Sequence, residues 1–374
     1  MREVNFVNRR TRQLLFLILA VTQLCGITTC VYSFREKSFR PSSALQIYGG
    51  LILSFVSLLL YASFSLMLLH VEKTWPLLVG TYVMLAVRVQ GFWASKDLVR
   101  LLNELLEVVE EVNVMARHPN IFRLRHLLLL ILGLQNLLRC LLMLADLSLG
   151  VGFVGFTVTV LLLFLLAFLL TFLLQITINL CLLVVLIASY NELHRCTRRI
   201  SNDLDSLRQS RVLESGQFLV LVKQLHTITE ELIQLRVRIF QLTQKIIEHF
   251  RFHWLCGLVY GLIPFYCFKA INVKDFYYLG ISALNLIFHC TVFRILSWES
   301  RTTRSFCHFQ MSNYHQEFDR TIDILLHQEI RQHLKVSIYK VTLDTKFLLR
   351  LLSLCAFWVF VNRQGYLLLH RNIV

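Results

Sequence analysis

Residues 151–189 read VGFVGFTVTVLLLFLLAFLLTFLLQITINLCLLVVLIAS, with no charged residue and no proline among them. A hydrocarbon core of ~30 Å is crossed by about 20 helical residues rising 1.5 Å each. This stretch is nearly twice that long, and its glycines stand only at the start, at Gly152 and Gly155. It predicts one helix that crosses a bilayer and continues beyond it. A buried helix of a large soluble core would look the same locally, so composition has to decide.

Composition decides for lipid. Hydrophobic residues make up 56% of the 374 positions and charged ones 16%, where a soluble chain carries roughly a quarter charged. Long apolar runs, rather than short alternating ones, exclude a β-barrel. The net charge of +15 fits lysines and arginines gathered on the cytoplasmic side, facing anionic lipid. No basic cluster is interleaved with aromatics outside the apolar runs, which excludes nucleic acid as a partner. The ten cysteines are scattered, mostly within apolar runs (Cys25, Cys140, Cys181, Cys256, Cys267, Cys290, Cys355), without a C-x-x-C pair or an N-x-S/T site. Outer loops are therefore expected to be short and free of disulfides.

Arg2, Arg9, Arg10 and Arg12 precede an apolar run over 14–31. A basic start before an apolar run is also the outline of a signal peptide, but no small-x-small cleavage site is clear. Because Arg35, Lys37 and Arg40 follow it, the run reads as a membrane-embedded N-terminal helix that does not cross. Spans follow over 45–69 and 76–94. Over 97–115 the character changes: Leu98, Leu101, Leu102, Leu105, Val109 and Val112 recur at helical spacing between Glu104, Glu107, Glu110 and Glu111. That is an amphipathic helix lying beside the membrane or against another helix. The next spans are 126–147 and the organising helix itself.

The longest polar region runs from 190 to 251, and its second half keeps an apolar rhythm through Leu221, Leu225, Ile228, Leu232, Leu235, Ile239, Leu242 and Ile246. Further spans are 252–268 and 276–296. Residues 298–347 read as a polar cytoplasmic helix, and 347–369 as the final span. The fold class is therefore an all-α membrane protein with seven transmembrane helices plus the N-terminal embedded helix. Its N-terminus is cytoplasmic and its C-terminus extracellular. Residues 1–190 hold the embedded helix and four spans, 191–250 a cytoplasmic helical linker, and 251–374 the last three spans. The segments so placed in the cytoplasm hold 29 of the 38 lysines and arginines. The outer ones hold only Lys73, Lys269, Lys274 and Arg371, as the positive-inside rule requires.

Catalytic chemistry is thin. His249 and His253 form H-x-x-x-H on one helical face, but a membrane di-iron site needs several such boxes and the other histidines supply none. The chain reads as no enzyme, without metal or cofactor. Arg88, Arg139, Asp146 and Arg294 stand near span ends, where snorkelling accounts for them. No acidic residue sits mid-membrane and the halves do not resemble repeats, which argues against a coupled transporter. The D-R-Y-like and N-P-x-x-Y signatures of G-protein-coupled receptors are missing, and the N-terminus is on the opposite side. Aromatics gather at the outer ends of the later spans: Tyr260, Phe265 and Tyr266, then Phe276, Tyr277 and Tyr278. They suit an interfacial belt or the wall of a pocket for a small organic ligand.

The layout resembles the insect chemoreceptors, and among them the gustatory receptor family: seven spans, N-terminus inside, a long polar link before the fifth span and a polar helix before a short final span. The stretch FWASKDLVRLLNELLEV at 92–108 is similar to that family's first cytoplasmic loop. The family's last span carries T-Y, five apolar residues, then Q-F. Here one register gives Phe357-Trp358, VFVNR, Gln364-Gly365, and another gives Gly365-Tyr366, LLLHR, Asn372-Ile373. The first is preferred because it places Gln364 at the matching site, although Asn362 and Arg363 then occupy apolar positions. The resemblance implies a tetrameric, ligand-gated, non-selective cation channel in the plasma membrane. Its ligands would be small tastants, bitter ones among them, and its partners other gustatory receptor subunits and membrane lipid. It implies a ligand site in the outer half of the spans, for which Tyr260, Phe265, Tyr266, Tyr277 and Tyr278 are the candidates. Leu354, Phe357, Trp358, Val361 and Gln364 would line or gate the pore, the apolar ring closing it by dewetting. Two other readings stay open: an odorant-receptor-type subunit that needs a co-receptor, and a multi-pass membrane protein that is not a channel.

Overall fold

A computed structural model describes residues 19–20, 22–24, 26–67, 71–117, 123–149, 156–209, 215–267, 273–301, 316–331, 334, 337–338, 341–343 and 345–371. In chain order these form a hairpin, β1 (Cys30–Ser33) with β2 (Ser38–Pro41), then helices α1 (Ser43–Met67), α2 (Val71–Trp93), α3 (Ser95–Ala116), α4 (Leu124–Leu149), α5 (Phe156–Gln209), α6 (Ser215–Cys267), α7 (Val273–Glu299) and α8 (Gln316–Arg331). A short hairpin of β3 (Ser337–Ile338) and β4 (Val341–Thr342) leads into α9 (Thr345–Arg371).

The organising stretch is the first two thirds of α5, which runs unbroken for 54 residues because no glycine or proline interrupts it. Its polar continuation is the same helix, and α6 runs for 53 residues, so the expected boundaries at 190 and 250 fall inside continuous helices. What joins them is a heptad seam. Leu232, Leu235, Ile239, Leu242 and Ile246 on α6 are all buried, as are Leu186, Tyr190, Leu193, Thr197, Ile200 and Leu204 on α5. Alternating steps of three and four keep such a stripe on one side of a helix. Each buried leucine or isoleucine contributes roughly 1.5–3 kcal/mol.

Three helical segments among the described residues are long and apolar enough to cross a membrane: Leu174–Leu207, Leu279–Glu299 and Lys346–Gln364. Their surroundings separate them. The apolar window of the first is 94% buried within the protein, that of the last only 6%. The later half of α5 is thus a core helix that owes its apolarity to protein neighbours, whereas α9 presents its apolar residues outward.

Helix α3 uses its amphipathic pattern as expected. Leu101, Leu105, Val108, Val109 and Val112 are buried. The opposite edge places Glu104 2.7 Å from Lys245, and Glu107 and Glu111 against Arg238, all on α6. Exposed pairs of this kind are worth about 1 kcal/mol or less each, so the apolar stripe holds α3 and the charges set its register.

Two expectations need correction. The apolar run at 14–31 does not stay helical to Val31. The chain turns at Gly26 (φ 62°), where the amides of Gly26 and Ile27 bond the carbonyls of Gln23 and Thr22, and then enters β1. A Cβ on Gly26 would lie 3.1 Å from Gly49 Cα, so two glycines let the turn sit directly on α1. Residues 1–18, where that expected helix begins, lie outside the described residues. Likewise 298–347 is not one helix: among the described residues it is α8 plus the β3–β4 hairpin. Helix α8 is held on α6 by fully buried Phe318 and by a 3.0 Å bond between His226 and Thr321.

The first hairpin is pinned by one side chain. Asn103 on α3 accepts from the Phe39 amide at 2.7 Å and donates to the Phe39 carbonyl at 2.9 Å, completing the strand edge as another strand would. Asn103→Ala removes both bonds and is expected to cost about 1–2 kcal/mol locally. Hydrogen exchange at the Phe39 amide should rise while the α5–α6 seam keeps its protection. Unchanged exchange at Phe39 would mean that the strand holds without the clamp.

Candidate ligand wall and pore helix

The aromatic candidates occupy two helices and three environments. Tyr260 on α6 is half-buried against the central core. Phe265, one turn further on, is buried with Leu286 of α7 and Cys355 of α9, so it joins three helices at one point. Tyr277 on α7 is 55% exposed. Tyr266 and Tyr278 lie in the same two helices, with side chains outside the described residues. The described three thus differ in their surroundings. Helices α6 and α7 do approach closely beside them: a Cβ on Gly261 would lie 3.0 Å from Leu286 Cδ2.

Helix α9 has two unlike faces. Leu348, Leu351, Cys355 and Val359 fall on one stripe and pack against α6 and α7 around Phe265. Leu354, Phe357, Trp358 and Val361 fall on the other and remain exposed, Leu354 at 66% and Phe357 at 64%. Gln364, three residues past Val361, continues that open face and is also exposed. The Ser353 hydroxyl donates to the Leu349 carbonyl at 2.8 Å within the same helix. The candidate pore residues are therefore brought together on one open face of α9.

A charge cluster that the sequence reading overlooked joins α3, α4, α5, α6 and α7. Glu192 of α5 has a side chain only 1% exposed, with Arg195 Nη1 at 2.5 Å and Arg123 Nε at 3.7 Å. Arg125 pairs with Glu299 at 3.1 Å, and His194 donates its Nε2–H to the Glu299 carbonyl. Arg236 and Arg199 donate to the carbonyls of Ser300 and Ala116. The ends of α3 and α7, the start of α4 and the middles of α5 and α6 are thus stitched through one set of groups. The available signal was Glu192 itself, the first carboxylate after a long uncharged run.

The H-x-x-x-H pair lies on one face of α6 as expected, with Phe250 edge-on to both rings. Burial holds the His249 imidazole below its usual range, against an opposing pull from Asp97. His253 is engaged with Gln175 of α5, Nε2 to Nε2, at 2.7 Å.

No protein-family model matches the chain. In sequence it is 55% identical over 369 residues to Gustatory receptor-like 65a of Drosophila melanogaster, a match spanning 98% of this chain and 100% of that protein. In fold it is similar to an insect olfactory receptor from Machilis hrabei, solved in complex with eugenol. The TM-score there is 0.56 with 12% identity, covering 95% of this chain and 98% of that one.

Proposed function

Because the chain belongs to the insect gustatory receptor family, we propose that it is one subunit of a ligand-gated, non-selective cation channel of the plasma membrane, opened by small tastants. In this reading seven helices cross the bilayer with the N-terminus cytoplasmic and the C-terminus outside. Four subunits, of this chain or with other gustatory receptor subunits, surround a pore lined by α9. The observation that carries it is the open apolar face of α9, with Leu354, Phe357, Trp358 and Val361 exposed in a single chain while the reverse face is seated on α6 and α7. An exposed stripe of this size asks for lipid or protein against it, and a ring of such residues repeated around an axis makes a hydrophobic gate. The distribution of lysine and arginine supports the orientation. Phe265 offers a physical link from the outer ends of α6 and α7 to α9, through Cys355.

The test is whole-cell current from cells expressing this chain, with a tastant panel applied outside. A ligand-evoked cation current is expected, Phe357→Ala should raise the current without ligand severalfold, and Gln364→Ala should change ion selectivity or gating with surface expression intact. If both variants reach the surface and conduct and respond as the parent does, the assignment of α9 to the pore is wrong.

A further inference from the structure

Where α2, α5 and α6 meet, the protein buries more hydrogen-bonding atoms than it pairs. Asn179 is 1% exposed, and neither its Nδ2 nor its Oδ1 has a partner. Gln175, one helical turn before it on the same face of α5, bonds His253 through Nε2 and leaves Oε1 unpaired; His253, fully buried, leaves Nδ1 unpaired. Gln90 Oε1 on α2 is likewise buried without a partner. Its neighbour Gly91 lies so close to Gln175 that a Cβ there would come within 2.0 Å of Nε2. Turning the Gln175 amide would reverse the roles of the His253 ring nitrogens. Asn179 has both amide atoms unpaired.

We propose that this seam is a bound-water site, lined by Gln90, Gln175, Asn179 and His253. The unpaired set mixes donors and acceptors: with Gln175 donating to Nε2, the His253 ring offers Nδ1–H and Asn179 offers Nδ2–H, while three amide oxygens accept. A cation cannot satisfy the donors, and an anion cannot satisfy the acceptors. A neutral molecule that does both fits, and the close seating of Gln175 on the Gly91 backbone restricts the guest to something small. Water meets each requirement, and internal waters typically make about three bonds to buried polar groups of this kind. The three helices are then joined across this seam by exchangeable water bridges as well as by the Gln175–His253 bond. This inference is independent of the channel reading.

The test is X-ray hydroxyl-radical footprinting of the full chain in nanodiscs, because radicals formed from a bound water mark buried side chains beside it. Trp254 is the control: it adjoins His253 in sequence, is comparably buried and packs the other way, on His289 and Phe293. His253 is expected to be labelled severalfold faster than Trp254, although indole is the more reactive ring. His253 labelled no faster than Trp254 would overturn the proposal. Asn179→Leu gives an independent readout. A leucine that displaces water held by the remaining groups should lower the unfolding midpoint, whereas a higher midpoint would show that the amide is dry and would also overturn it.

Discussion

Glu192→Ala is expected to destabilise the folded chain by about 3 kcal/mol, toward the lower end of the range for breaking a buried ion pair. The carboxylate is 1% exposed and faces Arg195 and Arg123. Without it, two guanidinium groups are left near Arg125 and Arg199 with one fewer counter-charge. The loss stays below the upper end because the Arg123 side chain is 46% exposed and can turn to water. Glu192→Gln keeps an acceptor for Arg195 and should cost about half as much, the difference being the charge assistance in that bond. Thermal unfolding of the purified chain, parent against both variants, gives the numbers. A Glu192→Ala midpoint equal to the parent's would mean that the cluster records proximity without contributing stability.

Trp254→Ala should cost about 3–5 kcal/mol, the usual range for removing a large aromatic from a packed core. Trp254 is 4% exposed and meets Phe293 and His289 of α7 edge-on, with ring centroids 4.6 and 5.6 Å away. The cavity opens between two long helices that cannot collapse toward each other while the α5–α6 seam holds α6 in place. Trp254→Phe keeps most of the contact and should lose less than about 2 kcal/mol. Unfolding midpoints decide this too. An alanine variant that melts with the parent would mean that α7 repacks onto α6 without the indole.

The helical architecture was legible because its signals are periodic and repeated. The heptad rhythm at Leu232–Ile246 became the α5–α6 seam, and the leucine and glutamate pattern near 97–115 became α3. Where sequence reading went astray, one residue or one distant partner decided the outcome. Cys30 and Val31 end an apolar run, yet the positive φ of Gly26 and the Asn103 clamp, 64 positions from Phe39, go with a strand there. Residues 174–190 carry the composition of a lipid-facing span, and only tertiary packing reveals that protein surrounds them. Of the site, the stripe on α9 could be read from its own spacing. The Glu192 cluster and the Gln175–His253 seam draw on three or more helices each, so no local pattern announces them.

Since α5 is a single helix of 54 residues, it behaves mechanically as a rod about 80 Å long. It continues without interruption where the apolar sequence gives way to the polar one. Movement at one end therefore reaches the other as a tilt, and a rotation of about 5° at a fulcrum near one end displaces the far tip by about 7 Å for that length. The apolar window within Leu174–Leu207 is 94% buried, so the helices packed on it share in any such tilt.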